Sequence, residues 1–197
     1  SELNDTAKEQ YKKNSFCVIR QLHYSKTYTD LSLDVALFLN GMPLITFELK
    51  NQFTGQNVSN AIKQYRTDRD PKDLIFMPKR CAVHFAVDDE QVMMCTELKG
   101  ESSWFLPFNK GVDGSAGNPV NQNGLKTAYL WEEILTKHSL SDIIENYAQV
   151  IKIHDEKTGK VKSEKCIWPR YHQLDAVRFF VKNTNEAGIG KRFLIQH

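Results

Sequence analysis

The sequence predicts an α/β fold built on a sheet with at least one crossover. Three observations carry this expectation. Residues 31–39 alternate strictly, with Leu31, Leu33, Val35, Leu37 and Leu39 on one side, the period of a half-buried strand. Residues 56–67 (QNVSNAIKQYRT) switch to helical spacing, with Val58, Ile62 and Tyr65 on one face. Apolar runs at 81–87 (CAVHFAV) and 91–96 (QVMMCT) then return to strand character on either side of Asp88-Asp89-Glu90. Strands, a helix and further strands in that order place a crossover within one sheet.

The remaining elements follow along the chain. The opening SELNDTAKEQYKKN is helix-like, and residues 16–22 (FCVIRQL) alternate as a strand. Residues 43–50 are the return strand of a hairpin that starts at 31, and 74–76 (LIF) read as a short strand. Residues 107–126 are dense in Gly, Asn and Pro and form a long loop, a kind of segment that is usually functional or mobile. Trp104, Phe105 and Leu106 before it read as core. Helical spacing returns over 127–150 (Leu130, Ile134, Leu135, then Leu140, Ile143, Ile144, Tyr147), with Ser139 or Ser141 as a cap for the second helix. Residues 152–165 are charged and read as a linker or an exposed hairpin turning at Thr158-Gly159. Residues 170–183 form a helix and Phe193 to Gln196 a last strand. Both ends read as cuts inside a longer protein.

Composition bounds the function. A chain of 197 residues with 41% hydrophobic and 25% charged residues can bury a real core. The net charge of +2 gives no global basic field, so any nucleic-acid contact must come from a local patch. Cys17, Cys81, Cys95 and Cys166 form no C-x-x-C pair, which argues against a zinc site or disulfide scaffold and favours a reducing cytoplasm. No run approaches membrane-spanning length and the N-terminal stretch lacks an apolar signal core.

The stretch 31-LSLDVALFLNGMPLITFELKN-51 carries charges where a plain strand would hold threonine or valine. Glu48 and Lys50 share one face of the return strand. With a three-residue loop Asn40-Gly41-Met42, Asp34 lies opposite Glu48, with Cβ atoms about 5 Å apart. A loop one residue shorter or longer shifts the pairing by one. Two carboxylates so close repel unless a positive group lies between them. Mg²⁺ fills that role with oxygen ligands, water and phosphate, and the Lys50 ammonium can hold a water or the scissile phosphate of a phosphodiester. An ordinary reading stands beside this one: an amphipathic hairpin has a polar face anyway, and an exposed Glu48–Lys50 pair is worth about 0–1 kcal/mol. The basic residues of 63–80 divide in the same way, between phosphate contacts and a solvated helix end interrupted by aspartates.

Asp34, thirteen residues, then Glu48-Leu49-Lys50, on two strands followed by a helix, resembles the P-D-(D/E)-x-K nuclease superfamily. The ordered run of FCVIRQLHYS, LITFELKNQFTGQNVSNAIKQYRTDRDP, HFAVDDEQVMM, FLPFNKG, SAGNP, KTAYLWEEIL, IWPRYHQLDAVR and KRFLIQH resembles the restriction (R) subunit of type I restriction-modification enzymes over nearly the whole chain. The resemblance implies a restriction-endonuclease-like mixed sheet flanked by helices at 1–150. A linker or hairpin then follows at 151–166, and the start of a RecA-like motor domain at 167–197. It implies Mg²⁺-dependent cleavage of unmodified double-stranded DNA away from the recognition site, in company with methyltransferase and specificity subunits. Asp34 and Glu48 map to the metal-binding acids, with the Leu49 carbonyl as a further ligand, and Lys50 to the catalytic lysine. Many members carry Gln-x-x-x-Tyr on the next helix. Here Tyr65 fits the tyrosine, position 61 is alanine, and the nearest glutamine is Gln64. Tyr65, Arg66 and Arg69 are candidate DNA contacts, and Glu2 or Glu9 a candidate acid arriving from a helix. Trp168, Pro169, Arg170 and Gln173 fit a segment that contacts the adenine of ATP, with Arg170 and Gln173 as its nucleotide-binding residues. The chain stops before the phosphate-binding loop, so ATP hydrolysis belongs to the full-length subunit. Two alternatives remain at this point: a repair or recombination nuclease of the same fold, and a non-catalytic domain that docks DNA or subunits.

Overall fold

The computed structural model describes residues 4–188, 190 and 192. Six strands form one mixed sheet in the order β1 (Phe16–His23), β2 (Ser32–Leu39), β3 (Met42–Leu49), β4 (Val83–Val87), β5 (Val92–Cys95) and β6 (Leu106–Pro107). β3 and β4 run parallel, while the other neighbouring pairs are antiparallel. A parallel pair requires a crossover, and α2 (Val58–Thr67) lies on it. Asn57 starts that helix: its side chain accepts the Ser59 N–H, while its own N–H is met by Asn60.

Both faces of the sheet are covered. One packs Ile45, Phe47, Val83, Phe85 and Val87 against Phe108, Tyr129, a π-helical turn at Leu130–Ile134 and α3 (Lys137–Asn146). The other packs Leu33 and Ala86 against Val58, Ala61 and Tyr65 of α2, with Ile75 and Phe76. β4 is therefore buried along its whole length, as a strand covered on both faces must be. Each large apolar side chain so enclosed contributes about 1.5–3 kcal/mol.

The hairpin turn differs from the expected three-residue loop, and the difference sets the register. Asn40 and Gly41 both have positive φ, 52° and 82°, the two-residue turn that Asn-Gly favours. This turn pairs Leu39 with Met42 and Phe38 with Pro43, a register that would carry Asp34 opposite Phe47. Past that point Leu37 pairs with Ile45, so Leu44 is an extra, unpaired residue. Pro43 has no N–H to give to a ladder, which makes this a favourable place for a bulge. The bulge moves the register by one. Val35 then faces Phe47, and Asp34 falls opposite Glu48.

Residues 74–76 form a 3-10 turn, not a strand. Ile75 and Phe76 are both buried, and Phe76 and Met77 both donate to the Asp73 carbonyl. The cap of α3 is Thr136, whose hydroxyl accepts the Ser139 N–H, and neither Ser139 nor Ser141 plays that part. Trp104 is 75% exposed rather than core, whereas Phe105 packs on the α2 side. Residues 149–167 are a hairpin of β7 (Gln149–His154) and β8 (Val161–Ile167). The closing helix α4 spans Tyr171–Ala187. Trp168 and Leu174 join the first core cluster, so that core includes residues well beyond 150. The strand expected over Phe193 to Gln196 lies outside the described residues. No helix among the described residues is long and apolar enough to cross a membrane.

Candidate active site

Asp34, Glu48 and Lys50 meet at one end of β2 and β3. The last rung of the ladder pairs Val35 with Phe47; beyond it the Leu49 N–H donates to Asp34 Oδ2 at 2.7 Å. The aspartate thus enters the gap where a strand carbonyl would otherwise stand. The Lys50 N–H donates to the Val87 carbonyl at 2.8 Å, which fixes the residue after β3 against β4.

Gln21 of β1 faces Asp34 from the other side. The β1–β2 ladder skips this pair, between Arg20↔Val35 and Leu22↔Leu33. Gln21 has φ 51°, a left-handed conformation rare for a non-glycine residue inside a strand. Its amide nitrogen lies 3.4 Å from Asp34 Oδ1, and its amide oxygen accepts the Ser32 hydroxyl at 2.9 Å.

Glu48 is fully buried, with 0% exposure, and so is its partner Arg69, at 3%. Arg69 Nε and Nη2 approach Glu48 Oε1 at 2.7 and 2.6 Å. The same guanidinium donates to the Tyr24 hydroxyl at 3.0 Å and the Ser32 carbonyl at 2.8 Å. One side chain past the end of α2 therefore ties together the end of β1, the start of β2 and the acid of β3. Glu48 Oε2 is buried without a hydrogen-bond partner. Burial pushes the Glu48 carboxyl up to about 8; Arg69 opposes that rise, Asp34 adds to it, and Lys50 again opposes it.

Lys50 is half-buried, and its ammonium donates to Gln64 Oε1 at 2.6 Å. Gln64 lies on α2 beside Tyr65, which is fully buried. The Tyr65 hydroxyl is 2.8 Å from Thr46 Oγ1, which is 2.7 Å from His84 Nδ1. Burial lowers His84 to about 3, so the ring is neutral. This enclosed chain fastens α2 to β3 and β4, two residues before Glu48, and so fixes where Gln64 presents the lysine.

Two expected DNA contacts lie in the interior. Tyr65 and Arg69 have no surface that a duplex reaches, because one is bonded under the sheet and the other is spent on Glu48. Arg66 is half-buried, with Nε and Nη2 on the Ser103 carbonyl at 3.3 and 3.0 Å. Glu9 is exposed on α1 (Asp5–Lys13), whose C-terminal end is tied to the hairpin turn through Asn14 and Asn40, at the far end of β2 from Asp34. Glu2 lies outside the described residues. The sequence reading missed Gln21 and the ion-pair role of Arg69. For Gln64 the signal was present, one residue before the tyrosine instead of four.

The oxygen donor set tests well against a hard divalent cation. Glu48 Oε2 is an orphaned buried oxygen, and Asp34 Oδ1 has only a long amide contact. Among the described residues no group of three or more His, Cys, Asp or Glu gathers as a metal cluster. Two acids are the side-chain oxygen donors these residues supply here.

A family profile described as the type I restriction enzyme R protein N terminus matches residues 2–103, just over half of the 197-residue chain. The chain belongs to the R protein N-terminal family of type I restriction enzymes. Comparison with curated proteins gave no match. In this R protein region the acids, the lysine, Gln21, Gln64 and Arg69 all fall inside the matched residues. Arg170 and Gln173 fall beyond them. Gln173 Oε1 accepts the Arg170 N–H at 3.1 Å and so helps to start α4. Both residues also line a cavity of about 350 Å³ with Lys99, Trp104, Cys166 and Trp168, which none of Asp34, Glu48 and Lys50 lines.

Proposed function

We propose that this chain carries the Mg²⁺-dependent nuclease of a type I restriction enzyme R subunit, cutting unmodified double-stranded DNA away from the recognition site. The observation that supports it most is the junction of β2 and β3. There a bulge-shifted register brings Asp34 onto the Leu49 N–H, beside a Glu48 oxygen left without a partner. Asp34, Glu48 and the Leu49 carbonyl would hold Mg²⁺. Bound there, the cation supplies activation of water and neutralisation of phosphate charge. Lys50, steered by Gln64, donates to a non-bridging phosphate oxygen or to the attacking water. As the water oxygen bonds phosphorus, the bond to the leaving deoxyribose oxygen breaks. Arg69 holds Glu48 in place through the other carboxylate oxygen.

The wider setting belongs to the same proposal: DNA, methyltransferase and specificity subunits as partners, and ATP used by a motor domain that begins near residue 167. Arg170 and Gln173 are its candidate adenine contacts. A non-catalytic docking domain is the second reading, and one observation favours it: Arg69 already occupies one oxygen of Glu48 inside the sheet. The two readings part on one substitution. Asp34→Ala in the full R subunit, assembled with its partners, Mg²⁺ and ATP, should abolish cleavage and leave ATP-driven translocation intact. Cleavage at the wild-type rate would favour the docking reading.

A further inference from the structure

Three residues beyond Lys50 the chain presents Phe53 on a 3-10 turn, Gln52–Thr54, with 95% of its surface exposed. The turn is built from specific bonds. Asn51 Oδ1 accepts the Phe53 N–H at 2.8 Å, and the Thr54 hydroxyl donates to the Asn51 carbonyl at 2.7 Å. Gly55 closes it at φ 71°, donating to the Gln52 carbonyl at 2.9 Å, and the Gln52 N–H reaches Asp89 Oδ2 at 3.3 Å. The ring is held out by fixed backbone, where an apolar group gains nothing from its own fold.

The surroundings are independent of the turn and point to one kind of partner. From Asn51 to Thr67 there is no carboxylate. The segment carries the amides Asn51, Gln52, Gln56, Asn57, Asn60 and Gln64, with Lys63 exposed on the outer face of α2. The acids just after β4 are engaged with main chain: Asp88 accepts the N–H groups of Val58, Glu90 and Gln91, and Asp89 that of Gln52. Amides and the exposed Lys63, with no carboxylate in the segment itself and Asp89 held by the Gln52 N–H, suit an anionic polymer rich in acceptors more than an apolar protein face.

We infer that Phe53 is a DNA-contacting wedge, its ring packing against the sugar and base edge of the duplex beside the scissile phosphate. The inference rests on the nuclease reading and names the residue that seats the substrate. Three residues of chain span at most about 11 Å. That is about three phosphate spacings along a strand, so the ring is within reach of the nucleotides next to the cut. The sugar is the same at every nucleotide, so such a contact adds grip without sequence choice.

The test uses the full R subunit in complex with its partner subunits, with Phe53→Ala, Phe53→Trp and Asp34→Ala measured together on duplex DNA. Phe53→Ala should lower cleavage about tenfold, by raising the DNA concentration needed for half-maximal rate, with translocation unchanged. F53W should restore cleavage, and its added indole fluorescence should be quenched by duplex. Wild-type cleavage by Phe53→Ala, while Asp34→Ala is dead, overturns the wedge and leaves the nuclease reading standing. Slowed translocation or failed assembly in Phe53→Ala means that the ring meets a protein partner, which also overturns it. Active Asp34→Ala removes the nuclease reading and the wedge with it.

Discussion

Glu48 lies in the sheet interior with Arg69 on one oxygen and no hydrogen-bond partner on the other. Removing the arginine would leave a buried carboxyl with neither oxygen bonded, and Arg69→Ala should destabilise the fold by about 1–3 kcal/mol in denaturant titration. An exposed arginine in the same place would change stability by less than about 0.5 kcal/mol. The raised Glu48 carboxyl also sets a pH dependence. Between its ordinary range and about 8 the folded acid keeps a proton that the unfolded one has lost. In the proposed nuclease Mg²⁺ would bind the deprotonated form, so below about pH 8 it would have to displace that proton. Apparent Mg²⁺ affinity, measured by calorimetry, should therefore tighten as pH rises from 6.5 to 8 and level off above. An affinity flat over that range would contradict the role given to Glu48.

At the scale of elements, two local irregularities aim the site. The Leu44 bulge restores the pairing that the Asn-Gly turn alone would lose, and the left-handed Gln21 turns β1 toward Asp34. Gln21 is exposed, and valine is ordinarily welcome in strands. At φ 51° the order should reverse, with Gln21→Val costing about 1–3 kcal/mol in thermal melts and Gln21→Gly staying near wild type. These irregularities mark what was legible in the sequence. The helical spacing of 56–67 reports which face of α2 is buried, and 31–39 were readable as a strand. Their strict alternation misplaced one residue: Leu33 packs on the α2 side while Val35 and Leu37 pack on the other, because the strand turns over at Asp34, where the β1–β2 ladder skips Gln21. The Asp34–Glu48 juxtaposition was expected from a three-residue loop and arises from a two-residue turn plus a bulge, because alternation does not report where a ladder slips. The run LIF was read as a strand because three apolar residues carry too little period to separate a strand from a helical turn. The Glu48–Arg69 pair joins residues on different elements and has no local signature. Without it, Arg69 resembled any basic residue at a helix end.

Across the whole molecule the site sits at the ends of two inner strands of a sheet braced on both faces. The long loop of 107–126 belongs to that bracing: Phe108 is fully buried, and Asn118 bonds to the Lys110 N–H, the Glu90 carbonyl and Asn109. Lys110 itself is held by Glu133 and is not free for DNA. Lys79 pairs with Glu164 of β8, which links the hairpin to the basic region after α2. In the proposed nuclease the substrate would face Asp34, Lys50 and the segment from Asn51 onward. The account stands on Asp34 and Glu48 converging on one divalent cation. The most direct measurement is anomalous diffraction from crystals of this chain grown with Mn²⁺ and a short duplex. The account predicts one ion within about 2.1 Å of carboxylate oxygens from both residues, with Arg69 still on Glu48 Oε1. No ion between them, or one bound by Asp34 alone while Glu48 stays sealed behind Arg69, would contradict it.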